Sequence, residues 1–289
     1  MSCLYLNVGC GSNFHSAWVN IDIYSAIPEV ISHDIRQGLP FHDNYFDACY
    51  SSHVIEHLTP AEAEKLLAEC FRVLKPNGVI RVVVPDLESI VRIYLQALEQ
   101  VEAGNREGNP NLDPNLDPNP ELNYDWIMLE LYDQAVRSYS GGRMGEYLSA
   151  ETMPNRAFVI SRLGVEAENY WDKKAKDRSI WAKVKSQRAV WLIRKLRISI
   201  AKIFVTIIAG KQVAQAFDQG IFRSSGEIHR WMYDRSSLRR ILQQAGFTDI
   251  KLCQAYESRI PNFNDYELDV IAGKVRKPDS LFMEGLRDK

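Results

Sequence analysis

Short apolar runs alternate with amphipathic stretches over the first hundred residues. Residues 3–8, 18–23, 30–33, 46–51 and 79–84 are bounded by turn formers, which predicts five strands in a βαβ-like succession. Between the last two, residues 59–78 carry helix signals at both ends. Thr59 stands at the N-cap, Pro60 in the first turn and Glu62 at the capping-box position. Leu66, Leu67, Cys70, Phe71 and Leu74 fall on one stripe, and Pro76-Asn77-Gly78 closes the helix. Residues 79–84 are apolar apart from Arg81, the pattern of a strand covered on both faces.

The pattern changes after Pro85. A helix is predicted over 87–101, followed by the repeat NPNLDPNLDPNPEL, whose prolines exclude a helix or a central strand. Residues 104–123 therefore read as a surface linker. Helical periodicity resumes at 124–138 and again from Glu166, interrupted at Ser140-Gly141-Gly142-Arg143. Residues 236–247, with Gly246 closing a helix, restore the αβ pattern and lead into strands at 248–253 and 267–272. The expected architecture is one α/β domain, residues 1–103 and 234–289, interrupted after its fifth strand by a mostly helical insertion, residues 104–233.

A composition of 46% hydrophobic and 25% charged residues is that of an ordinary globular protein. The formal charge of −2 gives no whole-chain reason to expect nucleic acid. The five cysteines never form CxxC, which argues against a zinc or disulfide framework and suits a reducing cytosol. Strand one begins almost at Met1, leaving no room for a signal peptide, so a cytoplasmic place is expected.

One segment departs from this balance. Residues 171–211 hold twelve lysines and arginines against Asp172 and Asp177, a net +10, together with Trp171, Trp181, Trp191, Phe204, Ile207 and Ile208. Three readings are open: a solvated helix between lobes, a nucleic-acid groove, or a basic amphipathic helix lying in an anionic membrane interface. The segment is more apolar than phosphate binding requires, so nucleic acid fits least and the inner membrane face fits best. Its longest apolar run, 198–209, is interrupted by Lys202 and too short to cross a bilayer.

The candidate chemistry sits at the first strand. An apolar run enters Gly9-Cys10-Gly11, and the second strand ends at the carboxylate of Asp22. A glycine turn lets backbone approach a ligand, and an acidic strand end is placed to accept ribose hydroxyls. A dinucleotide cradle needs G-x-G-x-x-G with its acid about 20 residues on. Here Phe14 occupies the third glycine position and Asp22 follows Gly11 by eleven residues. The spacing matches instead a shorter G-x-G-x-G turn, with Asn13, a residue that tolerates the left-handed conformation, in the last slot.

LNVGCGSN, NIDI, HDIRQGLPFHDNYFDACYSSHVIEHL and FRVLKPNGVIRVVVPD together resemble the class I S-adenosylmethionine-dependent methyltransferases, closest to the type 11 group. The resemblance covers residues 3–100 and the closing elements at 236–273. GEIHRWMYD and KPDSLFMEG are similar to a subgroup of predicted methyltransferases often associated with surface-polysaccharide pathways. This implies a Rossmann-like sheet, mostly parallel with an antiparallel last strand, and S-adenosylmethionine as cofactor. It implies that Gly9, Cys10 and Gly11 pass along the methionine moiety and ribose, and that Asp22 holds the ribose hydroxyls with Ile23 against the adenine. Asp34 would accept from the adenine amino group beside the backbone N–H of Ile35. Ser51, Ser52 and His53 would face the methionine end and the acceptor. The family often has an acid where this chain has Asn7, so contact to the methionine ammonium is expected to be weaker or through water.

Methyl transfer needs an acceptor held in line with the methyl group, and a base when the acceptor is a hydroxyl. The candidate bases are His53, His57, His229 and Asp86. His57 reads as structural, and His53 either lines the site or packs over the cofactor. His229, in a polar-aromatic cluster before the helix that returns the chain to the sheet, is the sharper candidate. Its alternative is a helix start with Asp234 as cap and Trp231 in the core. Asp86 can serve as base or helix cap. A metal is not expected, because Glu56 precedes His57 directly and no third ligand is evident. The expected activity is methylation of a small-molecule acceptor, a hydroxyl of a sugar or lipid-linked glycan. The alternatives are methylation of a lipid or quinone, or a non-catalytic module that docks a membrane or partner through its basic helices.

Overall fold

A computed structural model describes residues 3–23, 25, 27–104, 119–176 and 189–288. Seven strands form one sheet in the order β3 (Val30–Ser32), β2 (Val19–Asp22), β1 (Tyr5–Val8), β4 (Phe46–Ser52), β5 (Leu74–Pro85), β9 (Ser280–Arg287), β6 (Phe247–Cys253). The first five are parallel, and β9 runs antiparallel to both its neighbours. This is the Rossmann-like sheet with one reversed strand. β7 (Val270–Ile271) and β8 (Lys274–Val275) form a separate hairpin.

Two expectations are corrected. Residues 267–272 contain only the two-residue β7, because Glu267 and Ala272 are left-handed, with φ of 52° and 47°. The sheet is completed instead by β9, whose residues 281–285 are all buried. A strand covered on both faces shows no alternation, so its sequence gave no strand period to read. The βαβ succession also starts late. Among the described residues no α-helix joins β1 to β2 or β2 to β3, and α1 (Pro60–Val73) is the first. Its capping box between Thr59 and Glu62 is formed as the sequence predicts.

The sheet's two faces are packed differently. On one, Leu6, Val8, Ile80 and Val82 meet Leu66 and Leu67 of α1 and Leu238 and Leu242 of α8 (Arg235–Gln244). On the other, an aromatic layer of Tyr5, Trp18, Tyr50 and Phe282 is covered by Phe263 of a short 3-10 turn and by Leu268, with no α-helix on it among the described residues. Arg81 points into this second face and is fully buried. Its Nε donates to Asp269 at 2.8 Å, one Nη to Glu284 at 2.9 Å, and its other N–H groups reach the carbonyls of Gln254, Ala255 and Glu257. Every arm of the guanidinium is thus used to tie the 254–269 segment to the sheet.

Between β5 and β6 the described residues are helical: α2 (Leu87–Gly104), α3 (Pro120–Val136), α4 (Gly142–Leu148), α5 (Arg156–Leu163), α6 (Val165–Lys176) and α7 (Ala189–Arg223). The predicted linker narrows at both ends, since Gly104 closes α2 and residues 120–123 open α3; its repeat lies outside the described residues. Trp126 and Val159 form a small core, beside which Glu130 pairs with Arg162 at 2.8 Å. The helices rest on the start of β9, where Asp279 N–H donates to the Arg162 carbonyl and Arg276 pairs with Glu166 at 2.6 Å. α7 breaks at Gly210, which has φ 85° and ψ 173°. Lys202 pairs with Asp218 across the break. Sixteen residues of straight helix would span about 24 Å, so α7 is a hairpin with its turn near Gly210.

Candidate active site

The turn after β1 is built by backbone. Gly9 (φ 68°) and Cys10 both donate N–H to the Ile21 carbonyl, at 2.8 and 3.1 Å. Gly11 N–H donates to the Asp22 carboxylate at 2.8 Å, joining the glycine turn to the acid at the end of β2. A Cβ on residue 9 would stand 2.4 Å from Val54 Cγ2, so glycine is required there for space as well as for conformation. The Asn7 amide donates to the Asn13 carbonyl and to Asn20 Oδ1, and Asn13 donates to the Leu268 carbonyl. The turn is thereby pinned to the segment that covers the aromatic face.

A cavity of about 300 Å³ opens over this turn, at the carboxyl ends of β1, β2 and β4. Gly9, Gly11, Asp22 and Ile23 form its floor, and Asp34, Ile35 and Arg36 one side. His53, Val54 and His57 form another side, and Arg223 to Gly226 with Arg230 close it from the insertion. Asp34 accepts from Arg36 Nε and Nη2 at 2.8 and 2.7 Å, and these bonds hold its carboxyl below the usual carboxylate range.

Behind the His53 side lies a buried polar cluster. His53 Nδ1 is 3.0 Å from Glu56 Oε1, and its Nε2 is 3.0 Å from Ser280 Oγ. His57 Nδ1 is 3.1 Å from the Ile228 carbonyl, and the His229 ring stands edge-on to His57 at 4.8 Å. Desolvation dominates these groups. It pushes Glu56 up to about 8 and His57 down to about 4, and holds His53 and His229 well below the usual imidazole range.

Residues 6–82, which carry β1 to β4 and most of β5, match the family model described as a methyltransferase domain. This stretch carries the pattern of a methyltransferase domain. No curated protein matches the chain. Among solved structures it is similar to a Thermotoga maritima S-adenosylmethionine-dependent methyltransferase, a possible histamine N-methyltransferase, at 10% identity over 100% of this chain and 83% of the other, with a TM-score of 0.37. An Archaeoglobus fulgidus S-adenosylmethionine-dependent methyltransferase gives 13% identity over 99% and 86%, with a TM-score of 0.36. The cyclase SpnF gives 22% identity over 29% of this chain and a TM-score of 0.25, and the match spans only 39% of SpnF.

A methyltransferase domain implies S-adenosylmethionine as cofactor, and the cradle at Gly9, closed by the carboxylate of Asp22, fits a nucleoside. Of the residues expected around that cofactor, Gly9, Gly11, Asp22, Ile23, Asp34 and Ile35 stand in the cavity wall. Four do not. Asn7 is buried with its amide spent on the turn, and Cys10 is buried with its thiol toward the Gly11 carbonyl. Ser51 is buried with its hydroxyl unpartnered, and Ser52 accepts from Arg276 at 2.7 Å. The Asn7 amide is thus a structural tie of the turn.

The histidines are also rearranged. His57, read as structural, stands in the cavity wall, whereas His229 stands outside it, against His57. Asp234 caps α8 as the alternative reading held, but Trp231 is exposed and not in the core. Asp86 accepts from the Glu88 N–H at 3.1 Å and so caps α2. Sequence reasoning missed Arg36, Arg223 and Arg230. Only Arg36 had a local signal, its place beside Asp34; the other two are brought in by the return of the insertion.

Proposed function

We propose that the protein methylates a hydroxyl of a sugar, free or lipid-linked, with S-adenosylmethionine as donor. The observation that carries this reading is a second cavity, of about 580 Å³, one of whose lining residues is hydrogen-bonded to a lining residue of the first. It lies at the end of β5 and the start of β9, and Ser280 lines it while His53 lines the cofactor cavity. The His53–Ser280 hydrogen bond, at 3.0 Å, links the two linings. Asp86, Arg235, Gln254 and the exposed ring of Tyr256 give this cavity hydrogen-bonding groups beside an aromatic face, a combination that suits a polyhydroxylated acceptor.

When bound, S-adenosylmethionine supplies a methyl group already activated on a sulfonium. Gly9 and Gly11 would admit it against the backbone, and Asp22 would accept from the ribose hydroxyls. His53 is the proposed base. An acceptor hydroxyl taking the place of Ser280 Oγ meets His53 Nε2, and Glu56 at Nδ1 fixes the ring's orientation. Calorimetric titration with S-adenosylhomocysteine tests the cofactor half. Wild type should bind, and Asp22→Ala should bind about ten- to a hundredfold more weakly, the worth of a charged hydrogen bond. No binding by wild type, or unchanged binding by Asp22→Ala, sinks the enzyme reading and leaves the docking-module alternative. His53→Gln should keep cofactor affinity and lose turnover.

A second observation favours an acceptor carried on a membrane. Leu196, Ile200, Ile203 and Ile207 follow i, i+4, i+7, i+11 along α7 and are all exposed, as are Phe204 and Ile208. Exposure peaks near the hairpin turn, at 74% for Ile207 and 81% for Ile208, with Lys202 and Lys211 beside them. An apolar tip flanked by lysines matches an anionic lipid surface. Most of the basic residues of 171–211 lie outside the described side chains. No helix among the described residues is long and apolar enough to cross a membrane. The full chain should sediment with anionic vesicles at low salt, and Ile207→Glu with Ile208→Glu should release it. Wild type that stays in the supernatant removes this reading.

A further inference from the structure

We propose that Glu56, His57 and His229 bind a divalent transition-metal ion of the zinc type beside the cofactor cavity. Each offers one ligand atom, and the three atoms lie within 4.8 Å of one another. A tetrahedral site with bonds of about 2.0–2.1 Å sets its ligand atoms roughly 3.4 Å apart, so side-chain movements of about 1 Å close the set. The chain order that argued against a metal is overcome by the fold, which brings His229 from the far end of the insertion.

Three features point to a ligand. Glu56 is 0% exposed, and while its Oε1 holds His53, its Oε2 has no hydrogen-bond partner. A buried carboxylate oxygen is costly unless a cation or proton meets it. The Ile228 carbonyl accepts from His57 Nδ1–H, which keeps the proton on that nitrogen and leaves Nε2 with its lone pair, the usual outer support of a metal-binding histidine. The His229 ring has no hydrogen bond among the described residues, and its backbone is held by the Gln134 carbonyl.

The backbone frame already joins the two segments that supply the ligands. Arg230 and Trp231 donate N–H to the Glu56 carbonyl at 2.7 and 3.1 Å. Two imidazoles with one carboxylate suit zinc, cobalt, nickel or iron over magnesium or calcium. His57 stands in the cavity wall, so the site borders the cofactor cavity. The bound ion would pin the returning segment over that cavity. Lys277, whose Nζ is 3.4 Å from His53 Nδ1, is the competing positive charge.

The test is titration of the full chain with Co²⁺, free of chelator and without cofactor, read by visible d–d absorption. Wild type should take up one equivalent, Zn²⁺ should displace it, and Zn²⁺ should raise the melting temperature. Glu56→Gln, His57→Ala and His229→Ala should each lose the spectrum while circular dichroism shows them folded. His229→Asn serves should the alanine variant misfold. No spectrum in wild type, or a spectrum retained without His229, overturns the inference. S-adenosylhomocysteine binding on the same sample separates this failure from failure of the methyltransferase reading.

Discussion

Arg81→Ala is expected to cost about 3–5 kcal/mol of stability, because it removes one side of a buried ion cluster and leaves the other side charged. Asp269 is 2% exposed and Glu284 0%, and both point at the guanidinium. Their other contacts do not replace it. Tyr50 donates to Asp269 at 2.5 Å, and Ser258 and the Arg259 N–H donate to Glu284 at 2.5 and 2.9 Å, but none carries a charge that compensates the carboxylate. Domains of this kind are stable by only about 5–15 kcal/mol, so the urea midpoint should fall by a large fraction. Removing the orphaned charges as well, in Arg81→Met with Asp269→Asn and Glu284→Gln, should recover part of the loss, since replacing a whole buried ion set is far cheaper than breaking it. A single variant with the wild-type midpoint would contradict the account. The damage should also reach the cofactor cavity. The segment that Arg81 holds supplies the Leu268 carbonyl to Asn13, and so steadies the glycine turn.

Arg81 also shows what the sequence could convey. As the one charge in an apolar strand it marked β5 as unusual, yet its partners come from residues 254–284 and no local pattern names them. β1 to β4 and α1 were legible because caps, turn formers and apolar runs are local. β9 was not, because a strand buried on both faces lacks alternation. In the site, Gly9, Gly11, Asp22, Asp34 and their neighbours were legible because one chain segment carries both the turn and the acids. The neighbourhood of His53, Glu56, His57 and His229 was not, since it depends on where the insertion returns. His229 stood out as unusual, but its place outside the cavity wall is a property of the packing. The exposed tip of α7 lies between these cases: the apolar and basic composition was visible, whereas the break at Gly210 that projects Ile207 and Ile208 was not.

Gly9→Ala is expected to abolish measurable S-adenosylhomocysteine binding at concentrations that saturate the wild type. Two costs combine at this position. An L-residue at φ 68° is disfavoured by about 1–2 kcal/mol. The new methyl would also stand 2.4 Å from Val54 Cγ2 and 3.1 Å from Cγ1, and overpacking of this kind costs about 1–3 kcal/mol. Val54 cannot easily rotate away, being β-branched and set between His53, itself left-handed at φ 56°, and the 3-10 turn Ile55–His57. The turn must therefore shift, and the Gly9 and Cys10 N–H bonds to Ile21 shift with it, displacing Gly11 from Asp22. The two costs are separable. Val54→Ala in the Gly9→Ala background removes the clash and keeps the strain, so the double variant should regain binding while remaining about tenfold weaker than Val54→Ala alone, the worth of a left-handed alanine. Gly11→Ala is the control: it shares the strain at φ 53° but has nothing within 4 Å of its Cβ, so it should resemble the double variant. Equal losses in Gly9→Ala and Gly11→Ala would mean that Val54 is not the wall of the cradle.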